Sequence, residues 1–277
     1  MIGVIIGDII GARFELNNIK SKDFELFTNK CSPTDDSIMT LALAQAVLVS
    51  NPDHSDLSRN AVRCMQSVGR KYPLCGYGGK FLKWLFSHDP RPYGSYGNGA
   101  AMRVSAAAYA ANSIEEVKEI SRIITEVTHN HPEAIKRAET TAVAIYLART
   151  GMSLPEIRDY IDKNYYPMNF TLDGIREKYR FDASCQGSVP QALMAFFESA
   201  DFEDAVRNAI SIGGDSDTLA AICGGVAEAY YGVSAELRNQ ALRYLDKRLV
   251  KILVEFENKY PSVIEKNNEG KAEEGGR

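Results

Sequence analysis

Apolar side chains recur at helical spacing along nearly the whole chain. Residues 37–50 place Ile38, Leu41 and Val47 on one stripe, and residues 114–128 alternate a charged and an apolar face with the same period. This spacing predicts helices over residues 37–50, 104–111, 114–128, 132–150, 154–163, 189–199, 202–212, 218–231 and 236–260. Strand-type alternation is almost absent. The pattern therefore predicts an all-α fold.

The domain organisation follows from where the periodic pattern stops. It continues to about residue 266, so residues 1–266 are predicted to form a single domain. Residues 267–277 (NNEGKAEEGGR) are polar and contain glycine, which predicts a disordered tail. Residues 72–99 are rich in glycine and proline and are predicted to form a long loop, which is either functional or disordered.

Composition and charge narrow the class of protein. The chain has 32 basic and 36 acidic residues, so it lacks the basic surplus with which nucleic-acid binders neutralise phosphates. Five scattered cysteines without a C-x-x-C pair indicate free thiols in a reducing compartment. No segment approaches the roughly 20 apolar residues that span a bilayer. We therefore expect a cytoplasmic protein with no membrane partner.

Two clusters of threonine and aspartate each precede an apolar helical stretch. They are Thr34, Asp35 and Asp36 in the first cluster, and Asp215, Asp217 and Thr218 in the second. The first cluster has a local explanation, because Thr34 can cap the helix and acidic side chains in the first turn complement the helix dipole. Together they form a set of hard oxygen ligands without His or Cys, which suits two Mg²⁺ or Mn²⁺ ions and not zinc.

Residues 94–103 (GSYGNGAAMR) form a glycine-rich segment that leads into a predicted helix. Its exposed backbone N–H groups and the helix start can hold a phosphate, although most glycine-rich loops are structural.

Near the N-terminus, Asp8 interrupts an apolar helical run. Gly3, Gly7 and Gly11 in that run permit close packing against another helix, so Asp8 can be a buried, hydrogen-bonded side chain. Glu15 follows the run and is the better candidate for acid–base chemistry. Spacing alone favours neither role.

Five motifs occur in order along the chain: GDxxGxxxE, TDD, GSYGNGAAMR, TH-x-HP and GGDSDT. In this order they resemble the ADP-ribosylglycohydrolases, and the similarity extends from Gly7 to about Gly232. The resemblance implies a compact, orthogonal all-α bundle with a dinuclear Mg²⁺ or Mn²⁺ centre at the bottom of a cleft.

The resemblance also implies a role for each matching residue. The two aspartate clusters would bind the metal ions, Asp36 would also take part in catalysis, and Glu15 would transfer a proton or gate the site. The residues expected to contact ADP-ribose are Ser95, Tyr96, Gly97, Asn98, Gly99 and His129. A histidine just before Pro132 also has a structural explanation, as a helix cap or surface residue.

The implied reaction is hydrolysis at C1″ of an ADP-ribosylated protein side chain or small molecule. The acceptor stays open among arginine-linked, serine-linked and O-acetyl-linked ADP-ribose and a modified nucleic-acid end. Two other functions also stay open, namely a catalytically silent ADP-ribose-binding or crystallin-like relative and a dinuclear-metal phosphoester hydrolase. We expect the protein to act as a monomer.

Overall fold

The computed structural model describes residues 1–262, and these residues form an all-helical fold, as predicted. Short 3₁₀ turns span Ala12–Phe14 and Asn98–Ala100, and a single β-bridge in this part of the chain joins Gly97 and Ser184. The helices are α1 (Ile2–Gly11), α2 (Asp35–Val49), α3 (Leu57–Gly69), α4 (Gly79–Phe86), α5 (Ser105–Ala110), α6 (Ile114–Glu126), α7 (Pro132–Arg149), α8 (Leu154–Asn164), α9 (Leu172–Arg176), α10 (Cys185–Phe197), α11 (Phe202–Ser211), α12 (Ser216–Tyr231), α13 (Ala235–Leu242) and α14 (Lys247–Lys259).

Helix α12 lies at the centre of the bundle, and its side chains are buried from Ser216 to Glu228. Helices α1, α7, α10 and α11 pack around it. Helix α1 is itself buried over its full length, and its glycines face α12. A Cβ atom on Gly7 would overlap the backbone of Ala220, so the predicted close packing of this glycine stripe is confirmed.

The prediction of one continuous helix over residues 236–260 is wrong. Helix α13 ends at Leu242, and α14 begins at Lys247. The reason is the side chain of Asp246, which accepts hydrogen bonds from the amides of Arg248 (2.9 Å) and Leu249 (3.0 Å) and so caps a new helix.

The prediction of a loop over residues 72–99 is wrong in part, because this segment contains α4. Phe81, Trp84 and Leu85 form its buried face. Only eight residues long and flanked by glycine and proline, α4 shows too little periodicity to be recognised. Helix α3 was not predicted either, although Leu57, Ala61 and other apolar residues recur along one face of it.

The structure also bears on the predictions about the cysteines and about membrane-spanning segments. The five cysteines are unpaired, as predicted. Within residues 1–262, no helix is both long enough and apolar enough to cross a lipid bilayer. The predicted tail, residues 267–277, lies outside the described residues.

Candidate active site

A cleft of about 380 Å³ opens where the N-termini of α2 and α12 meet the glycine-rich segment. All six predicted metal ligands line it, together with Glu15, His129 and four of the five predicted loop residues. The fold therefore brings together residues that are about 180 positions apart in the sequence.

The first aspartate cluster is built on the N-terminus of α2. Thr34 is the N-cap residue, and its hydroxyl accepts a hydrogen bond from the amide of Asp36 (3.4 Å). The local capping explanation is thus confirmed. Asp35 is partly exposed to the cleft, whereas Asp36 is buried beneath it.

Asp8 reaches this helix start from α1. Its carboxylate accepts hydrogen bonds from the amides of Thr34 (2.9 Å) and Ser37 (3.0 Å) and from both of their hydroxyls. The side chain is completely buried, so the expectation of a hydrogen-bonded aspartate is confirmed. One oxygen from each of Asp8, Asp36 and Asp217 also lies within 4.8 Å of the others. Asp8 therefore belongs to the acidic cluster, although the metal ligands predicted from the sequence did not include it.

The second cluster is positioned by a turn of two glycines. Gly213 and Gly214 have φ angles of +67° and +80°, a conformation that favours glycine. The turn places Asp215 at the N-cap of α12 and Asp217 in its first turn. Across the cleft, the hydroxyl of Thr218 donates to Asp36 at 3.4 Å, so the two clusters are in contact.

The electrostatics of the clusters are unfavourable without a cation. Burial, and then the neighbouring aspartates, raise the pKa values of Asp36 and Asp217 well above their usual range. Burial and Asp8 raise the pKa of Asp35 to about 7. In addition, Oδ1 of Asp36 is buried without a hydrogen-bond partner, which is costly for a carboxylate oxygen. Buried, crowded oxygens of this kind fit a divalent cation.

Glu15 lies beside the second cluster at the edge of the cleft. One of its carboxylate oxygens is within 4.8 Å of oxygens of Asp215 and Asp217. Burial, followed by the charges of Asp215 and Asp8, raises its pKa. Glu15 is therefore placed beside the second cluster, where a carboxyl group can donate or accept a proton.

Asn18 holds the Glu15 segment in this position. Its side-chain amide donates to the carbonyls of Phe14 (2.7 Å), Glu15 (2.9 Å) and Gly214 (2.9 Å). Its side-chain oxygen accepts from the amide of Gly214 at 2.7 Å. The sequence contains no signal for the link between this residue and the second cluster, because its two contacts to Gly214 depend on the turn before α12.

The glycine-rich segment is fixed against residues 183–185. The amide of Asn98 donates to the carbonyl of Ala183 (2.8 Å), and the amide of Cys185 donates to that of Tyr96 (2.9 Å). The side chain of Asn98 donates to Asp215 at 2.7 Å, which joins the segment to the acidic cluster. The side chain of Tyr96 is 54% exposed and packs edge-on against the ring of His131. Among the predicted loop residues that the structure describes, Tyr96 is the one that does not line the cleft.

His129 lies beneath the same segment and is only 4% exposed. The expectation of a cap or surface role is wrong for this residue, because the N-cap of α7 is His131. Burial, and then the charge of Arg103, hold the pKa of His129 well below its usual range. Arg103, the last residue of the glycine-rich segment, lines the cleft as well and was not among the predicted site residues.

Known proteins resemble this chain over most of its length. The ADP-ribosylhydrolase ARH3 of Bos taurus is 25% identical over 308 residues, covering 83% of this chain and 83% of the relative. The ARH3 protein of Mus musculus is 27% identical, covering 83% and 82%. The ADP-ribosylarginine hydrolase Tri1 of Pseudomonas putida (strain GB-1) is 27% identical, covering 84% of this chain and 70% of the relative.

A solved structure shows the same fold. It is described as an ADP-ribosylglycohydrolase-related protein complex, and it matches with a TM-score of 0.67 at 23% identity, covering 93% of this chain and 95% of the other. The sequence profile of the ADP-ribosylglycohydrolases matches residues 1–266. This chain therefore belongs to the ADP-ribosylglycohydrolase family.

Proposed function

We propose that this protein hydrolyses the glycosidic bond at C1″ of an ADP-ribosylated acceptor and releases ADP-ribose. The observation that carries the proposal is the hydrogen bond from Asn98 to Asp215, which makes the glycine-rich segment and the acidic clusters one continuous wall. A ligand lying along this wall places its phosphates at the segment and its ribose at the carboxylates. Relatives that are ADP-ribosylhydrolases support the same assignment.

The acidic clusters would hold two Mg²⁺ or Mn²⁺ ions. Two groups of three carboxylates converge here, Asp8, Asp36 and Asp217 in one and Glu15, Asp215 and Asp217 in the other, and they share Asp217. Thr34, Asp35 and Thr218 add oxygen atoms around them. Divalent ions bound at such a site orient hydroxyl groups and activate water for hydrolysis.

The remaining residues bind the substrate and move a proton. Glycoside hydrolysis passes through a transition state with positive charge at C1″, which neighbouring carboxylates stabilise. The carboxyl of Glu15 stands at the same end of the cleft and takes up or returns the proton. Ser95, Gly97 and Gly99 line the same cleft on either side of Asn98, and the diphosphate binds along this segment.

A substrate panel tests this function. The full-length protein with Mg²⁺ or Mn²⁺ is incubated with arginine-linked, serine-linked and O-acetyl-linked ADP-ribose, and free ADP-ribose is measured. We expect release from at least one linkage and none from Asp36→Asn, with the exposed variant Asp159→Asn as a control that retains activity. Absence of release from every linkage would contradict the proposal.

Two alternatives predict different outcomes of the same panel. A catalytically silent relative would bind ADP-ribose without cleaving any substrate, and a phosphoester hydrolase would cleave a simple phosphomonoester. The unpartnered Asp36 oxygen and the complete set of predicted ligands favour the hydrolase over the silent binder. A buried acidic cluster lowers the stability of the fold, so its presence favours a role in metal binding and catalysis.

A further inference from the structure

Arg103, Thr128 and His129 form a buried group behind the glycine-rich segment. The guanidinium of Arg103 donates from one nitrogen to the hydroxyl of Thr128 (2.7 Å) and to Nδ1 of His129 (3.1 Å). The Thr128 hydroxyl also lies 2.7 Å from the same Nδ1. All three residues are at most 4% exposed.

This arrangement determines which ring nitrogen of His129 carries the proton. A guanidinium has only donors, so Nδ1 must accept the hydrogen bond with its lone pair. A neutral imidazole has one N–H group, which is then at Nε2. The ring stays neutral, because burial and the adjacent Arg103 charge both lower its pKa.

Nε2 faces the cleft between two glycines. A Cβ atom built on Gly97 would lie 3.7 Å from Nε2, and one built on Gly99 would lie 3.5 Å from it. A Cβ atom at either position would therefore stand in van der Waals contact with the ring nitrogen. The two glycines therefore leave Nε2 accessible to a ligand in the cleft, which His129 lines.

Arg103 is held in place by an aromatic ring. Its guanidinium lies 4.9 Å from the centre of the Phe81 ring. Within residues 1–262, no carboxylate lies within 4 Å of this guanidinium, although the side chain is only 2% exposed. A buried charge without an ion pair is costly, so its contacts to Thr128 and His129 account for its position.

We propose that Arg103 is a positioning residue that holds His129 as a neutral Nε2–H donor towards an oxygen atom of the ligand in the cleft. The ligand is an oxyanion such as a diphosphate, and this identification of the ligand rests on the proposed function. Arg103 acts through His129 and Thr128 and does not itself react with the substrate.

The state of the ring is measured directly by long-range ¹H–¹⁵N correlation spectra of the ¹⁵N-histidine-labelled protein at neutral pH. We expect His129 to show a protonated Nε2 and an unprotonated Nδ1. A proton on Nδ1, or an imidazolium, would overturn the proposal. This measurement needs no substrate and no variant, so its outcome is separate from that of the activity panel.

Substitutions then test the role of Arg103. In Arg103→Met, we expect a mixture of His129 tautomers and about tenfold weaker ADP-ribose binding by calorimetry, which corresponds to one hydrogen bond. Arg103→Lys keeps a donor and should restore much of the Nε2 preference. Arg149→Met is the matched control, because Arg149 lies over the Tyr109 ring at 5.1 Å and outside the cleft.

The outcomes separate the two proposals. An unchanged tautomer and unchanged binding in a folded Arg103→Met protein would exclude a positioning role. An Nε2–H tautomer in a wild-type protein that fails to bind ADP-ribose would contradict the proposed function and leave the link between Arg103 and His129 intact.

Discussion

Gly11 of α1 lies directly against Asp217 of α12, and a Cβ atom on Gly11 would come within 2.6 Å of the Asp217 Cα. This approach is possible only because α1 presents glycines to α12. It brings Asp8, one turn earlier on α1, within reach of Asp217 and Asp36. The geometry of the acidic cluster thus depends on the packing of two helices.

The variant Gly11→Ala should separate these helices. The added methyl group meets backbone atoms that cannot rotate away, so we expect the free energy of unfolding to fall by about 1–3 kcal/mol. Chemical denaturation measures the change. Gly79→Ala is the control, because a Cβ there meets nothing within 4 Å and should be neutral or slightly stabilising. Equal stability of Gly11→Ala and wild type would show that α1 is not held so closely.

Metal binding should stabilise the protein. An ion that binds only the folded state at about 100 times its dissociation constant adds about 2.7 kcal/mol, so Mg²⁺ or Mn²⁺ should raise the melting temperature. Asp36→Asn should remove most of this increase. Without metal, the variant should be at least as stable as wild type, because a carboxyl whose pKa is raised in the folded state costs stability at neutral pH and an amide does not. Thermal melts with and without chelator measure both effects, and a wild-type melt that neither ion changes would contradict the metal assignment.

Glu15→Gln should separate catalysis from binding. It keeps the size of the side chain but removes proton transfer, so turnover should fall roughly 10²- to 10⁴-fold. ADP-ribose affinity should change little, because Glu15 acts on the proton and does not hold the bound product. Single-turnover kinetics give the rate, and Glu25→Gln, which is exposed, serves as the control. A rate within a few-fold of wild type would exclude Glu15 from proton transfer.

Asn18→Ala should release the segment that carries Glu15. Four hydrogen bonds link Asn18 to this segment and to Gly214, so their loss should misplace the carboxyl group. We expect kcat to fall about ten- to hundredfold while the metal-induced rise in melting temperature persists. The adjacent, exposed Asn17→Ala should leave kcat unchanged. If both variants behave alike, Asn18 does not position Glu15.

Part of this site could be predicted from local sequence. The helix start at Thr34 follows from a capping residue and apolar periodicity, and the helix after Asp215 follows from apolar periodicity; both signals involve neighbours a few positions away. The same local chemistry marked the aspartates as hard oxygen ligands. Helix α4 and the break between α13 and α14 escaped prediction, because a short helix and a single capping aspartate give weak periodic signals.

The sequence by itself determined the helical class, the two acidic clusters and, through its ordered motifs, the family. Only the tertiary structure decided that Asp8 joins the cluster, that Asn18 ties the Glu15 segment to the turn before α12 and that Arg103 contacts His129. The physical reason is the separation in sequence between the residues that interact. Periodicity and capping act between residues close in the chain, whereas these contacts exist only where separate helices and turns meet in the folded protein.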